Sequence, residues 1–104
     1  MPFRDVILQQ VEKKHTEWNG QIMKMAGLDY DTYSKLAVGL LAELKGYISA
    51  MCDTVLGMYD VGRLGSAETG YLIKQILSVS HTVTDAVRLT ALTCRQDSEK
   101  PAAV

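Results

Sequence analysis

Proline is nearly absent from this chain of 104 residues. Its two prolines, Pro2 and Pro101, lie close to the ends, so none interrupts the sequence from residue 3 to residue 100. Because proline kinks or ends a helix, its absence allows long helices. Apolar side chains also recur every three or four residues, which is typical of helices with one buried side. The clearest series is Leu36, Leu40, Leu44, Ile48, Met51, Val55 and Met58.

These patterns predict an all-α antiparallel bundle of three long helices, or a helical hairpin with a third helix against it. The expected helices span residues 4–26, 31–60 and 67–95, and their short connections make neighbours antiparallel. We expect one domain over residues 1–95 and a flexible tail over residues 96–104, which lack periodicity. The predicted core is Ile7, Val11, Trp18, Ile22, Leu36, Leu40, Leu44, Ile48, Met51, Val55, Leu72, Ile73, Ile76, Val83 and Val87.

The helix ends carry recognisable signals. Gly27 matches the left-handed residue that ends many helices, and Asp29 or Asp31 is suited to begin the second helix. Ser66 is suited to begin the third. Within the first helix, Asn19-Gly20 is a common turn dipeptide that predicts a kink or break. The apolar series continues in phase across it, which favours an unbroken helix.

Long apolar runs and paired cysteine motifs are also missing. No stretch approaches the ~20 apolar residues of a membrane span, and the N-terminal segment lacks the apolar core of a signal peptide. Cys52 and Cys94 lack CxxC spacing, so we interpret them as small core residues with free thiols, although a disulfide between neighbouring helices stays possible. These features predict a soluble cytoplasmic protein.

Charge of one sign is scarce as well. The 11 basic and 12 acidic residues are interspersed and give a formal net charge of -1. Such a chain has no overall field that attracts it to phosphate backbones or anionic lipid, so nonspecific nucleic-acid binding is disfavoured.

Catalytic and metal-binding motifs are not found. The sequence contains no glycine-rich phosphate loop, HExxH or GxSxG motif, and a small bundle has little interior for a pocket. We therefore expect no enzymatic activity, no cofactor and no metal site. His15 lies on the apolar side of the first helix, where we expect a half-buried imidazole with a hydrogen bond across the bundle.

The second helix has apolar and small residues outside its core series. Val38, Leu41 and Leu56 would be exposed in a simple hairpin, which favours a homodimer or a constitutive partner. A row of small residues suggests close contact with the third helix or a second subunit, which would put the second helix at the centre of the assembly. The dimer contacts predicted from this row are Gly39, Gly46, Ala50 and Gly57.

A basic ridge is predicted on the third helix. Lys74, His81, Arg88 and Arg95 follow one another at intervals of seven residues, so they share one side of the helix. The ridge is either a partner surface or a solvated face with local pairing to Asp85. Tyr59 and Tyr71, which flank the glycine-containing loop before this helix, are further candidates for partner binding.

Three functions are compatible with these features. The leading hypothesis is a non-enzymatic protein-interaction module, such as a small adaptor, inhibitor or assembly chaperone, that presents a helical face to a protein partner. The alternative is a nucleic-acid-binding regulator that uses the basic ridge. In size and helical class the chain also resembles histidine phosphotransfer domains, and this resemblance implies His81 as phosphoacceptor. Those domains carry lysine and glycine three and four residues after the histidine, where this chain has Thr84 and Asp85.

Overall fold

The computed structural model describes residues 2–99, with side chains described for residues 2–95. Within that range the chain forms three α-helices and no strand: α1 (Phe3–Met25), α2 (Tyr30–Asp60) and α3 (Ser66–Glu99). The all-helical fold is therefore confirmed, with helix bounds close to those predicted. The exception is the end of α3, which continues past residue 95 to Glu99. The rest of the predicted tail, residues 100–104, lies outside the described residues.

Two polar or flexible residues define the connections between helices. The Asp29 carboxylate accepts hydrogen bonds from the backbone N–H and the hydroxyl of Thr32, at 3.1 and 2.7 Å, and so caps the start of α2. At the end of α2, Gly62 has a φ of 78°. The N–H groups of Gly62 and Arg63 then bond back to the carbonyls of Tyr59 and Met58, at 3.0 and 2.9 Å.

The glycine with positive φ was predicted after α1 but lies after α2. Gly62 is the residue with positive φ in the described part of the chain, whereas Gly27 is not in this region and α1 ends through a right-handed Ala26. Ser66 is already the first residue of α3, so Gly65 rather than Ser66 precedes that helix. The N–H of Thr69 bonds to the Gly65 carbonyl at 2.9 Å, which begins the helical pattern.

The helices form an elongated bundle of 66 × 20 × 18 Å in which α3 contacts both other helices extensively. At one end the Arg4 guanidinium lies 4.8 Å from the Tyr71 ring centre, and at the other Cys94 Sγ lies 3.7 Å from the Met25 carbonyl. Thus α1 and α3 run in the same direction and α2 runs against both. The central helix is α3, which corrects the expectation that the second helix would be central.

The core follows the predicted series with one clear error. Thirteen of the fifteen predicted core residues are buried, Ile73 is half-buried, and Leu36 is 48% exposed. On the first turns of α2, Tyr33 and Ala37 are buried instead, and the Tyr33 hydroxyl donates a hydrogen bond to the Val87 carbonyl of α3. The side of α2 that meets α3 is therefore rotated from the Leu36 position toward Tyr33. Further buried residues are Met25, Leu64 and Cys94.

Helix α1 is unbroken at Asn19-Gly20. Both residues are exposed, while Trp18 and Ile22 on either side are buried in the core. Tertiary packing of the apolar side thus outweighs the poor helix propensity of this dipeptide.

No helix among the described residues has the length and apolar character needed to cross a membrane.

Candidate interaction surface

A groove of about 460 Å³ runs between α2 and α3 on the side of the bundle away from α1. Its walls come from α2 and α3 alone and combine aliphatic side chains with small hydroxyls and one lysine. The lining residues are Leu41, Leu44, Lys45, Ile48, Ser49, Cys52, Leu77, Ser80 and Thr84.

Exposed apolar side chains extend this groove along the bundle. Val38 lies seven residues before Lys45 and Leu56 lies seven residues after Ser49, so both share the groove side of α2. Val38 is 69% exposed, and Leu56 and Leu77 are each 43% exposed. We use the name α2/α3 face for the apolar side chains of this surface: Val38, Leu41, Cys52, Leu56, Tyr59, Ile73 and Leu77.

The predicted basic ridge borders the α2/α3 face. Its members Lys74, His81, Arg88 and Arg95 are all exposed. Lys74 and His81 line a second shallow groove that shares Leu77 with the first, and Arg88 lies eleven residues, about three turns, after Leu77. The structure thus brings the ridge and the apolar surface together on α3.

Two side chains of the basic ridge contact other residues of the same chain. Arg88 pairs with Asp85 at 3.9 Å, but both side chains are more than two-thirds exposed, so this ion pair is weak. The Arg95 guanidinium lies 5.1 Å from the ring centre of Tyr30 at the start of α2.

Two acidic residues border the same face on α2. Asp53 follows Cys52 and Asp60 follows Tyr59, and the two aspartates are seven residues apart, as are Arg88 and Arg95. Both are exposed, and neither forms an ion pair within the described part of the chain. These two aspartates were not predicted as part of the surface, because single aspartates on a helix surface are common. The signal available in the sequence was that they have the same seven-residue interval as Arg88 and Arg95.

The two cysteines have different environments. Cys52 is half-buried in the groove, and burial, followed by the neighbouring Asp53, raises the pKa of its thiol. Cys94 is fully buried, with its sulfur 3.7 and 3.6 Å from the carbonyl oxygens of Met25 and Ala26. Both thiols are free, as expected.

The two candidate tyrosines do not share a surface. Tyr59 lies seven residues after Cys52 and belongs to the α2/α3 face, whereas Tyr71 lines a cavity between α1 and α3 and contacts Arg4. The structure therefore associates only Tyr59 with this face.

The row of small residues on α2 points into open space. Gly39, Gly46, Ala50 and Gly57 are all exposed, and a Cβ built on any of the three glycines would meet no atom within 4 Å. Contact with α3 therefore does not explain the row. A dimer contact at these residues stays a prediction.

A polar and aromatic cluster that the sequence did not reveal joins α1 to α2. The Glu43 carboxylate accepts hydrogen bonds from Lys14 Nζ at 3.1 Å and from Trp18 Nε1 at 3.3 Å. The Trp18 and Tyr47 rings meet edge to face with centres 5.5 Å apart. The hydrogen bonds from Lys14 and then Trp18 lower the pKa of Glu43, and the bond to Glu43 raises the pKa of Lys14.

His15 is half-buried, as predicted, and lines the cavity between α1 and α3. Its Nε2 atom is buried without a hydrogen-bond partner in the described structure, so the expected bond across the bundle is not formed. No group of three histidine, cysteine or acidic side chains suited to hold a metal ion occurs in the described part of the chain.

Comparison of the chain with protein-family models, with curated proteins and with solved structures gave no match.

Proposed function

We propose that this chain is a non-enzymatic protein-interaction module, acting as an adaptor, inhibitor or assembly chaperone, that binds a helical protein segment on the α2/α3 face. The observation that carries the proposal is the set of exposed apolar side chains along two packed helices, Val38 and Leu56 on α2 and Leu77 on α3. Large apolar patches on otherwise polar surfaces mark sites of association.

The geometry suits a helical partner. Two antiparallel helices form a groove, and an amphipathic helix binds such a groove by inserting apolar side chains at intervals of three or four residues. Apolar burial supplies about 25 cal/mol per Å² removed from water, so covering Val38, Leu56 and Leu77 together would favour binding. The helices are held in place by a packed core, so little ordering cost opposes it.

Charge at the border adds selectivity to this proposal. The basic ridge runs along the α3 border, so a partner with acidic residues beside its apolar series is preferred over a basic one. The same ridge supports the alternative, a nucleic-acid-binding regulator, and the exposure of Lys74, His81 and Arg88 is the observation that favours it. Histidine phosphotransfer at His81 is a third hypothesis, weakened by Asp85 in the same shallow groove, since a carboxylate repels a phosphoryl group.

Affinity capture of the tagged chain from its native cell tests the leading proposal. We expect a specific protein, identified by mass spectrometry, with the unmodified chain and not with Leu77→Asp. The matched control is Leu89→Asp, because Leu89 is also exposed but points about 120° away around α3. Recovery of no specific protein, including the chain itself, or equal capture by Leu77→Asp, would contradict the proposal.

Salt and probe experiments separate the alternatives. A nucleic-acid interaction predicts gel shifts of duplex or single-stranded probes that weaken steeply with salt and disappear in Arg88→Glu. Absence of any shift at low salt excludes this alternative. Phosphotransfer requires acid-labile phosphate on His81 after incubation with phosphodonors, and its absence excludes that function.

A further inference from the structure

We propose that a separate groove between α1 and α2, the α1/α2 groove, binds a short acidic segment of a partner protein. This segment presents one or two apolar side chains flanked by aspartate or glutamate. The groove lies apart from the α2/α3 face. Leu36 lines the groove while Val38 belongs to the α2/α3 face, and a step of two residues turns an α-helix by about 200°. Binding in the α1/α2 groove is therefore independent of the proposed function.

The groove follows from the way the helices pack. Helices α1 and α2 each pack mainly on α3 and contact each other far less, which leaves a space of about 520 Å³ between them. Met25, Leu36 and Leu40 give this space an apolar lining, and Leu36 is 48% exposed. An apolar side chain of a partner would remove that surface from water, which favours binding.

Both ends of the groove are bounded, and this limits the length of its occupant. At one end α1 connects to α2 through residues 26–29. At the other end the Glu43 carboxylate accepts hydrogen bonds from Lys14 and Trp18 of α1. From Lys35 to Glu43 the distance along α2 is about 12 Å. That length accepts about two turns of helix or about four residues of extended chain.

The charge along the groove favours an acidic occupant. Lys24 on α1 and Lys35 on α2 line the groove from opposite sides, and both are exposed. Neither forms an ion pair within the described part of the chain. The Glu43 carboxylate at the end of the groove is already bonded to Lys14 at 3.1 Å. Two lysines thus lie beside apolar surface, and a segment that combines carboxylates with apolar side chains complements both features.

Nuclear magnetic resonance titration of the isotope-labelled chain tests this site with defined peptides. The probe is a synthetic peptide of about eight residues in which two leucines, four positions apart, are flanked by glutamates. Backbone amide signals of Gln21, Lys24 and Gly39, which all line the groove, should shift and saturate. A peptide with lysine in place of each glutamate, and one with serine in place of each leucine, should each bind about tenfold or more weakly, because each lacks one of the two complementary features.

Variants of the chain assign the binding to the groove. Lys24→Glu and Lys35→Glu should each weaken binding of the leucine-glutamate peptide by about three- to tenfold, because each replaces an attraction by a repulsion. Gly39→Leu should weaken it by about tenfold or more by filling the groove, and the helix tolerates this change because a Cβ at Gly39 meets no atom within 4 Å. Circular dichroism verifies that the helices remain.

The matched control is Lys13→Glu, which makes the same change of charge at an exposed position of α1. Lys13 lies eleven residues before Lys24, or about 16 Å along the helix. Charges at that distance are largely screened at about 0.1 M salt. This variant should therefore bind the peptide with unchanged affinity.

Several results would overturn the site. These are the absence of a saturable shift at millimolar peptide, equal affinity for the serine-substituted peptide, or unchanged affinity in both Lys24→Glu and Lys35→Glu. Shifts centred on Leu56 and Leu77 would also overturn it, since they place the peptide on the α2/α3 face. Loss of binding in the groove variants but not in Lys13→Glu would support a second binding surface, on the opposite side of α2 from the first.

Discussion

Leu36 and Leu44 provide a direct test of which side of α2 is buried. Both belong to one apolar series in the sequence, yet Leu44 is 3% exposed and Leu36 is 48% exposed. Leu44→Ala leaves a cavity between α2 and α3 and should lower the free energy of unfolding by about 3 kcal/mol, within the 2–5 kcal/mol usual for buried leucines. Leu36→Ala removes a half-exposed side chain that lines a shallow groove between α1 and α2, and should cost about 1 kcal/mol or less.

Urea unfolding followed by circular dichroism and by Trp18 fluorescence measures both costs. Trp18 is the single tryptophan and is fully buried, so the two signals should coincide if unfolding is two-state. Each variant should shift the urea midpoint without changing the slope. Measurements at two protein concentrations separate self-association from folding. Equal losses for the two variants, within about 0.5 kcal/mol, would refute the assigned orientation of α2.

Four further predictions concern particular residues. Gly46→Ala should raise the free energy of unfolding by roughly 0.5–1 kcal/mol in urea melts, because the glycine is exposed within a helix and its Cβ would meet open space; a loss would show that another chain packs there. Gly62→Ala should cost about 1 kcal/mol or more in the same assay, since its φ is 78°. Tyr33→Phe should cost about 0.5–1.5 kcal/mol through loss of the bond to Val87. Burial also raises the pKa of Tyr33 above its ordinary value of 10. The contribution of the neutral hydroxyl to stability is therefore fully present below pH 10 and is lost as pH rises through the folded-state pKa. The loss of stability at high pH should be smaller in Tyr33→Phe. The pKa of Glu43 lies below the ordinary glutamate value of 4.5, so the ionised carboxylate stabilises the fold above pH 4.5 and this contribution is lost as the pH falls. Because the side chain is half exposed, Glu43→Gln should lower the free energy of unfolding by only ~0.2–1 kcal/mol near neutral pH. The stability of this variant should also depend less on pH in the acid range.

Helix positions were predictable because they depend on local pattern. The interval of three to four residues identified all three helices, and the same pattern correctly outweighed Asn19-Gly20. The start of α2 was ambiguous, because Leu36-Leu40 and Tyr33-Ala37-Leu40 both fit a helical spacing. The choice between them depends on α3, where the Val87 carbonyl accepts the Tyr33 hydroxyl.

The apolar pattern did not predict which helix lies at the centre of the bundle. Each helix has an apolar side, but nothing local states which helix will contact both others, and here it is α3. For the same reason only part of the α2/α3 face was predicted from the sequence. Val38 and Leu56 were recognised as apolar residues outside the core series, whereas Leu77, next to the buried Ile76, became part of the face only when α3 was placed beside α2.

The reactivity of Cys52 tests most directly whether the α2/α3 face is an interface. The thiol lies in the groove, while the second thiol, Cys94, is buried in the core and serves as an internal reference. Maleimide labelling followed by mass spectrometry should slow at Cys52 as the captured partner protein is added and reach a plateau, and it should stay fast at every partner concentration in Leu77→Asp. A labelling rate at Cys52 that is independent of partner concentration and equal in the two proteins would contradict binding of the partner on this face.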